Sequence, residues 1–99
     1  SFIDNGATAI LCCSDVIAAS VVDECKLLNQ SVPGSISVVG FDNTPIADEY
    51  GLTTISQNRI ELGKSGYVTL TALISHIGIS STLMRPTLVV RNSTSVCKE

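Results

Sequence analysis

The sequence contains few charged residues and no concentration of positive charge. Charged residues make up 15% of the chain, and its six lysines and arginines are scattered, giving a formal net charge of -3. A nucleic-acid-binding surface needs clustered basic side chains to neutralise phosphates, so this segment is predicted not to contact DNA itself. A composition this low in charge and 44% apolar also indicates faces that other protein normally covers.

Long apolar runs are missing as well. No stretch reaches the roughly 18 residues of a membrane-spanning helix. Asp4 and Asn5 interrupt the opening residues, and no basic segment precedes an apolar one, so no signal peptide is expected. Because the chain opens without Met, we interpret it as part of a longer protein.

The sequence lacks recognisable motifs for metal binding, phosphate binding and catalysis. Cys12 and Cys13 are adjacent rather than spaced as in redox or zinc sites, and inside an apolar run both are predicted to be buried thiols. His76, the single histidine, has no partner in a catalytic motif. Glycine-rich phosphate-binding patterns are absent. We therefore predict no cofactor, no metal and no catalytic residue.

Short apolar runs and helical periodicities alternate along the chain. Runs at 8–13, 36–41, 53–56 and 86–91 have the length and composition of buried strands. Apolar residues recur every three or four positions on Ile17, Val21, Cys25 and Leu28, and again from Ile60 to Ile77, which predicts two helices with one buried face each. The alternation predicts a single α/β domain over residues 1–99, a three-layer sandwich with a mostly parallel sheet.

Capping residues and turn residues locate the ends of these elements. Ser14 is a good N-cap for the first helix, with Asp15 in its first turn. Asn58, followed three residues later by Glu61, resembles a capping box for the second helix, which Gly78 would end. One further helical turn is predicted at 46–50, and residues 92–99 are predicted to be a tail.

Polar side chains follow three of the predicted strands. Ser14, Asp42 and Gln57 each come just after a strand end, and ligands of parallel α/β sheets bind outside the carboxyl ends of the strands. The Asp42 carboxylate could accept hydrogen bonds from neighbouring hydroxyls of a sugar or polyol. Simpler alternatives are that Asp42 caps backbone N–H groups of its own loop, that Ser14 is only an N-cap, and that Gln57 is an ordinary exposed amide.

Three segments in this order resemble the lac repressor family of bacterial transcription regulators. They are ISVVGFDN, TTISQ and VVRNST, within a similarity that extends from Ala7 to Ser95. The resemblance implies a periplasmic-binding-protein-like fold of two subdomains with the ligand between them. It makes this chain a partial effector-binding domain, part of the C-terminal subdomain, without the N-terminal subdomain and the DNA-binding headpiece.

The resemblance also assigns roles to residues. Asp42 matches the family's ligand-binding carboxylate, and Gln57 matches a glutamine that faces the effector in some members. Ser14 stands where the family usually has an effector-contacting asparagine, and this departure weakens its assignment. The family dimerises partly through segments that match Ile17–Leu28 and Pro45–Tyr50, which implies a homodimer.

The resulting prediction is a non-enzymatic cytoplasmic sensor of an effector, a sugar or related small polar ligand, that reaches DNA only through the missing headpiece. One alternative is a secreted sugar-binding component of a transporter, which shares the fold. Another is an α/β enzyme fragment. The isolated chain is itself expected to bind nothing, because half of the cleft is absent.

Overall fold

The computed structural model describes residues 6–76 and 85–97. Strands and helices alternate along these residues as the sequence predicts. Their bounds are β1 (Ala9–Leu11), α1 (Asp15–Leu27), β2 (Ser37–Val39), α2 (Pro45–Tyr50), β3 (Thr54–Ser56), α3 (Arg59–Ile74) and β4 (Thr87–Val89). The second helix was predicted to continue to Ile77 and to end at Gly78, but α3 ends at Ile74 with Ser75 as its C-cap. Residues 77 and 78 themselves lie outside the described residues.

The strands form a mostly parallel arrangement. β1 pairs with β2 in parallel, with Ile10 opposite Val38, and β3 pairs with β4 in antiparallel orientation. A parallel bridge between Val39 and Thr53 joins the two pairs, and the Gly40 N–H donates to the Thr53 carbonyl at 2.9 Å. The order across the strands is therefore β1, β2, β3, β4, with only β4 reversed.

Helices α1 and α2 pack together, and α1 packs against β2. The core between them contains Ala18, Val38, Ala47 and Leu52, each fully buried. The buried face of α1 differs in part from the predicted one. Cys25 is buried as predicted and Val21 packs partly buried against the core, but Ala18 and Val22 are buried instead of Ile17 and Leu28, which are each 50% exposed. Small alanine side chains allow a helix to approach its neighbours closely, so the larger residues turn outward.

The predicted buried face of α3 is wrong for the described residues. Ile60, Tyr67 and Ile74 are between 70% and 74% exposed, and no residue of α3 is buried. No described helix or strand packs extensively against α3, so its apolar side chains have no surface to bury against. The predicted capping box is also wrong, because Asn58 is the N-cap in left-handed conformation (φ 59°) and makes no side-chain capping bond.

Residues 92–97 are not a loose tail. Ser93 is 4% exposed, accepts a hydrogen bond from the Thr53 N–H at 2.8 Å and donates one to the Val38 carbonyl. The Thr94 hydroxyl is 2.7 Å from that of Thr53. This segment therefore connects β2 to the start of β3 through side-chain hydrogen bonds, a role that its polar composition conceals.

The two adjacent cysteines occupy different environments. Cys12 is buried as predicted, whereas the predicted burial of Cys13 is wrong: both residues follow the end of β1 at Leu11, and Cys13 lies in the exposed bend that leads to α1. Burial raises the pKa of the Cys12 thiol, and also that of Cys25. No helix within residues 6–76 and 85–97 is long and apolar enough to cross a membrane.

Gly40 lies where β2 passes closest to α1. A Cβ at this position would overlap the Asp15 carboxylate and lie 3.2 Å from the Asp15 Cα. We expect Gly40→Ala to lower the free energy of unfolding by about 2 kcal/mol, since overpacking a tight contact forces backbone shifts. Denaturant unfolding measures this change.

The matched control is Gly63→Ala in α3, where an added Cβ meets nothing within 4 Å. There the same substitution should be neutral or stabilising by up to about 1 kcal/mol, because alanine favours helix. Equal stability of Gly40→Ala and the wild-type protein would contradict the close approach.

Candidate ligand-binding site

The structure brings Asp42 and Gln57 together at the carboxyl ends of two neighbouring parallel strands. The Asp42 N–H donates to the Ile55 carbonyl at 2.8 Å, which fixes the residue after β2 beside the end of β3. The Gln57 Nε2 then donates to Asp42 Oδ1 at 3.2 Å. Both residues are partly exposed. A carboxylate and an amide thus offer acceptors and donors to a ligand from one edge of the sheet.

Ser14 lies at the same edge of the sheet, but its side chain caps a helix. Its Oγ accepts the Ile17 N–H at 3.2 Å, so it is the N-cap of α1, as the simpler alternative predicted. In the part of the chain that the structure describes, no hydrogen bond joins Ser14 to Asp42 or Gln57. The capping role is confirmed, and a ligand contact of Ser14 stays a prediction.

Asp42 and Asn43 have backbone conformations that are uncommon for residues with a side chain. Their φ angles are 106° and 56°, and such conformations persist only where the surroundings hold them. Across the described residues, no backbone N–H donates to the Asp42 carboxylate, so the predicted alternative of a self-capping loop is not observed. Apart from Gln57, the carboxylate is available to a ligand.

The side chain of Asp15 fixes this loop by hydrogen bonds, a role that the sequence did not predict. Its side chain is 1% exposed. One carboxylate oxygen accepts the Thr44 N–H at 2.6 Å and the Thr44 hydroxyl at 2.9 Å, and the other accepts the Thr54 hydroxyl at 2.6 Å. Burial by itself raises the pKa of this carboxyl, but the hydrogen bonds from Thr54 and Thr44 outweigh it, and the net pKa is lowered.

Arg91 also fixes the loop by hydrogen bonds. Its guanidinium donates to the Asn43 side-chain oxygen and to the Leu52 carbonyl, each at 2.9 Å, and lies 4.0 Å from the Asp48 carboxylate. Arg59 donates to the Asn43 carbonyl at 3.2 Å. In the sequence, Arg91 was notable only as part of the VVRNST segment, because its partners are far away along the chain.

An open apolar depression adjoins the polar pair. Leu11, Cys12, Cys13, Phe41 and Ile55 line it, and it has a volume of about 390 Å³. Phe41 directly precedes Asp42, and Ile55 lies two residues before Gln57, whereas neither Asp42 nor Gln57 lines the depression itself. Small-molecule sites typically combine apolar walls with a few placed polar groups, and this edge of the sheet has both.

Comparisons with known proteins agree with this geometry. The family model for the periplasmic binding protein-like domain matches residues 3–94. The HTH-type transcriptional repressor CytR of Escherichia coli (strain K12) is 36% identical over 88% of this chain, and the match covers 27% of CytR. The chain thus spans about a quarter of the length of this relative.

Solved structures give the same result. The lac repressor dimer bound to operator and the anti-inducer ONPF has a TM-score of 0.83 and 28% identity, covering 94% of this chain and 34% of that one. A periplasmic binding protein/LacI transcriptional regulator from Alkaliphilus metalliredigens QYMF, complexed with D-xylulofuranose, has a TM-score of 0.83 and 28% identity, with coverage of 95% and 36%.

The chain belongs to the family of periplasmic binding protein-like domains, in the form found in lac repressor-type transcription regulators. The α/β fold and the family that the sequence predicts are confirmed, and the relatives are transcription regulators rather than enzymes.

Proposed function

We propose that this chain is part of the effector-binding domain of a lac repressor-type transcription regulator and contributes Asp42 and Gln57 to a site for a small sugar-like ligand. The observation that carries the proposal is the 3.2 Å contact between these side chains at the carboxyl ends of parallel strands. The carboxylate suits a pair of adjacent hydroxyls, and the amide can donate and accept at the same ligand.

The comparisons support the ligand class. A relative with this fold was solved with D-xylulofuranose, a five-carbon sugar. Pentoses carry adjacent hydroxyls on a partly apolar ring, which matches a carboxylate beside an apolar depression. We therefore take pentoses as the first probes.

In the proposed mechanism the ligand binds between this subdomain and a second one. A ligand that prefers one arrangement of the two subdomains shifts the population toward it. If DNA affinity differs between the arrangements, the ligand and the operator are linked. The DNA contact is assigned to a headpiece in the longer protein, since this segment has only six scattered basic residues.

The proposal includes a homodimer in the cytoplasm. Large apolar side chains lie exposed on α1, with Ile17 and Leu28 each 50% exposed and Leu27 78% exposed. Helices of this kind are expected to be covered by other protein, and the resemblance places a dimer contact on this helix and on α2. A related regulator is a dimer on its operator.

A secreted sugar-binding protein is the rival with the same fold. The VVRNST segment and the family match to repressors favour the regulator. An enzyme is disfavoured because the relatives with this fold are transcription regulators. Turnover of a pentose by the purified protein would support an enzyme instead.

Calorimetric titration of the full-length protein with L-arabinose, D-ribose and D-xylose tests the proposal. We expect saturable heat with at least one pentose and none with the isolated chain, because the other wall of the cleft lies in the second subdomain. Absence of binding to every pentose by the full-length protein would contradict the proposed ligand class. Saturable binding by the isolated chain would contradict the shared cleft.

A further inference from the structure

Asp15 is the centre of a hydrogen-bond cluster beneath the loop that carries Asp42. The Asp15 N–H donates to the Phe41 carbonyl at 3.2 Å, on one side of Asp42. Its carboxylate accepts both donors of Thr44, on the other side. Because Asp15 is 1% exposed, its own side chain is not available to a ligand.

The same cluster extends to the strand that leads to Gln57. The Thr54 hydroxyl donates to Asp15 at 2.6 Å and accepts the Asn43 N–H at 3.3 Å. Thr54 is the first residue of β3 and is fully buried. Asp15 therefore joins the Asp42 loop to β3, the two segments whose relative position sets the distance between Asp42 and Gln57.

The loop requires such support. The left-handed conformations of Asp42 and Asn43 are unfavourable for residues with a side chain and need fixed surroundings. Gly40, just before the loop, leaves no space for a Cβ beside Asp15. The contact between α1 and the loop is thus close as well as hydrogen-bonded.

We propose that Asp15 is a positioning residue for the ligand site, which sets the geometry between Asp42 and Gln57 without touching the ligand. The consequence for ligand binding rests on the proposed function. The effect on the Asp42–Gln57 contact does not, so the two can be tested separately.

The first test uses the chain's two glutamines, Gln30 and Gln57. Labelling with ¹⁵N-glutamine gives two side-chain amide signals in NMR spectra, and Gln30, beyond the end of α1, is an internal reference. In Asp15→Asn we expect the Gln57 amide protons to exchange with water about fivefold faster, the loss of one typical hydrogen bond. The Gln30 signals should not change.

Val22→Ala is the control for a merely structural role. Val22 lies on the same helix as Asp15, is 7% exposed and belongs to the hydrophobic core, but it is not part of the hydrogen-bond cluster around the Asp42 loop. The substitution should lower stability by removing buried apolar contacts and leave the Gln57 amide unchanged. Unchanged Gln57 exchange in Asp15→Asn, or equal acceleration in Val22→Ala, would overturn the proposal.

Thr54→Val is a second variant that tests the same contact if Asp15→Asn does not fold. It removes one donor to Asp15 at nearly constant volume and should accelerate Gln57 exchange in the same direction by a smaller factor. No acceleration in a folded Thr54→Val protein would then overturn the proposal.

The second test is pentose binding by the full-length protein. We expect Asp15→Asn to weaken the affinity about tenfold at a temperature where all the proteins are fully folded, and Val22→Ala to leave it within about twofold. Wild-type affinity in Asp15→Asn would overturn the role of Asp15 in binding. Failure of the wild type to bind any pentose would refute the proposed function. The exchange rate of the Gln57 amide protons would still show whether Asp15 positions Asp42 relative to Gln57.

Discussion

Replacing Asp42 by asparagine is expected to weaken pentose binding by the full-length protein about a hundredfold, or about 3 kcal/mol. A charged acceptor forms hydrogen bonds about twice as strong as neutral ones. Asparagine keeps the shape but places an NH₂ group where, in the proposed site, one carboxylate oxygen would accept a ligand hydroxyl. That hydroxyl would then have to accept instead of donate, and the charge-assisted bond would be lost. Calorimetry at constant ionic strength measures the change.

The control for this substitution is Glu24→Gln, the same carboxylate-to-amide change on an exposed position of α1. It should leave the affinity within about twofold of wild type, since screened surface charges contribute little. The unfolding free energy of Asp42→Asn should stay within about 1 kcal/mol of wild type, because the carboxylate has only Gln57 as a partner among the described residues. Wild-type affinity in Asp42→Asn would show that the ligand, if any, binds elsewhere.

Asp15→Ala is expected to destabilise the fold by about 4 kcal/mol. The substitution leaves the Thr44 N–H and the buried Thr54 hydroxyl without an acceptor. Each buried unsatisfied group costs about 1–3 kcal/mol. Denaturant unfolding at neutral pH measures the loss. As a comparison, Asp23→Ala removes an exposed carboxylate whose one hydrogen-bond donor among residues 6–76 and 85–97 is the Tyr50 hydroxyl at 3.0 Å, and it should cost under about 1 kcal/mol. Equal effects of the two substitutions would contradict the buried cluster.

The contribution of Asp15 should also depend on pH in a defined direction. The pKa of this carboxyl is lower in the folded chain than in the unfolded one, where it is near 4. The unfolded state therefore binds the proton more readily, and stability rises with pH. The stabilisation is complete above the unfolded pKa and is lost as pH falls through the lower folded value. Asp15→Asn should flatten the acid side of the stability curve below about pH 4, and an unchanged curve would contradict the lowered pKa.

Local sequence signals predicted the elements that hold the site. Ser14 caps α1 as its position required, the helical turn predicted at 46–50 lies within α2, and the apolar runs at 8–13 and 36–41 contain the parallel strands β1 and β2. The rule that parallel strand ends share one edge then placed Asp42 beside Gln57. Short-range chemistry and one topological rule were sufficient for this part, because neither depends on how the helices pack.

Packing could not be predicted in the same way. The periodicity of α1 is compatible with burial of either of two helix faces, one that contains Ile17 and one that contains Ala18. Only the close approach of the helix to its neighbours determines that the face with the smaller residues is buried. Asp15 and Ser93 look like surface residues in the sequence, since charged and polar side chains are usually exposed. Their burial depends on hydrogen-bond partners 29 to 55 positions away, which no local pattern reveals. The face of α3 was predicted to be buried because the sequence does not say what it would pack against.

A double-mutant cycle with Asp42→Asn and Gln57→Met, read by calorimetric titration of the full-length protein with the pentose that binds best, tests most directly whether these two side chains form one ligand site. Each single substitution should weaken binding, and the double variant should differ from the sum by at least about 0.5 kcal/mol, as for residues in direct contact. Losses that add within error, or affinities equal to wild type in both single variants, would show that the pair does not act as a binding site.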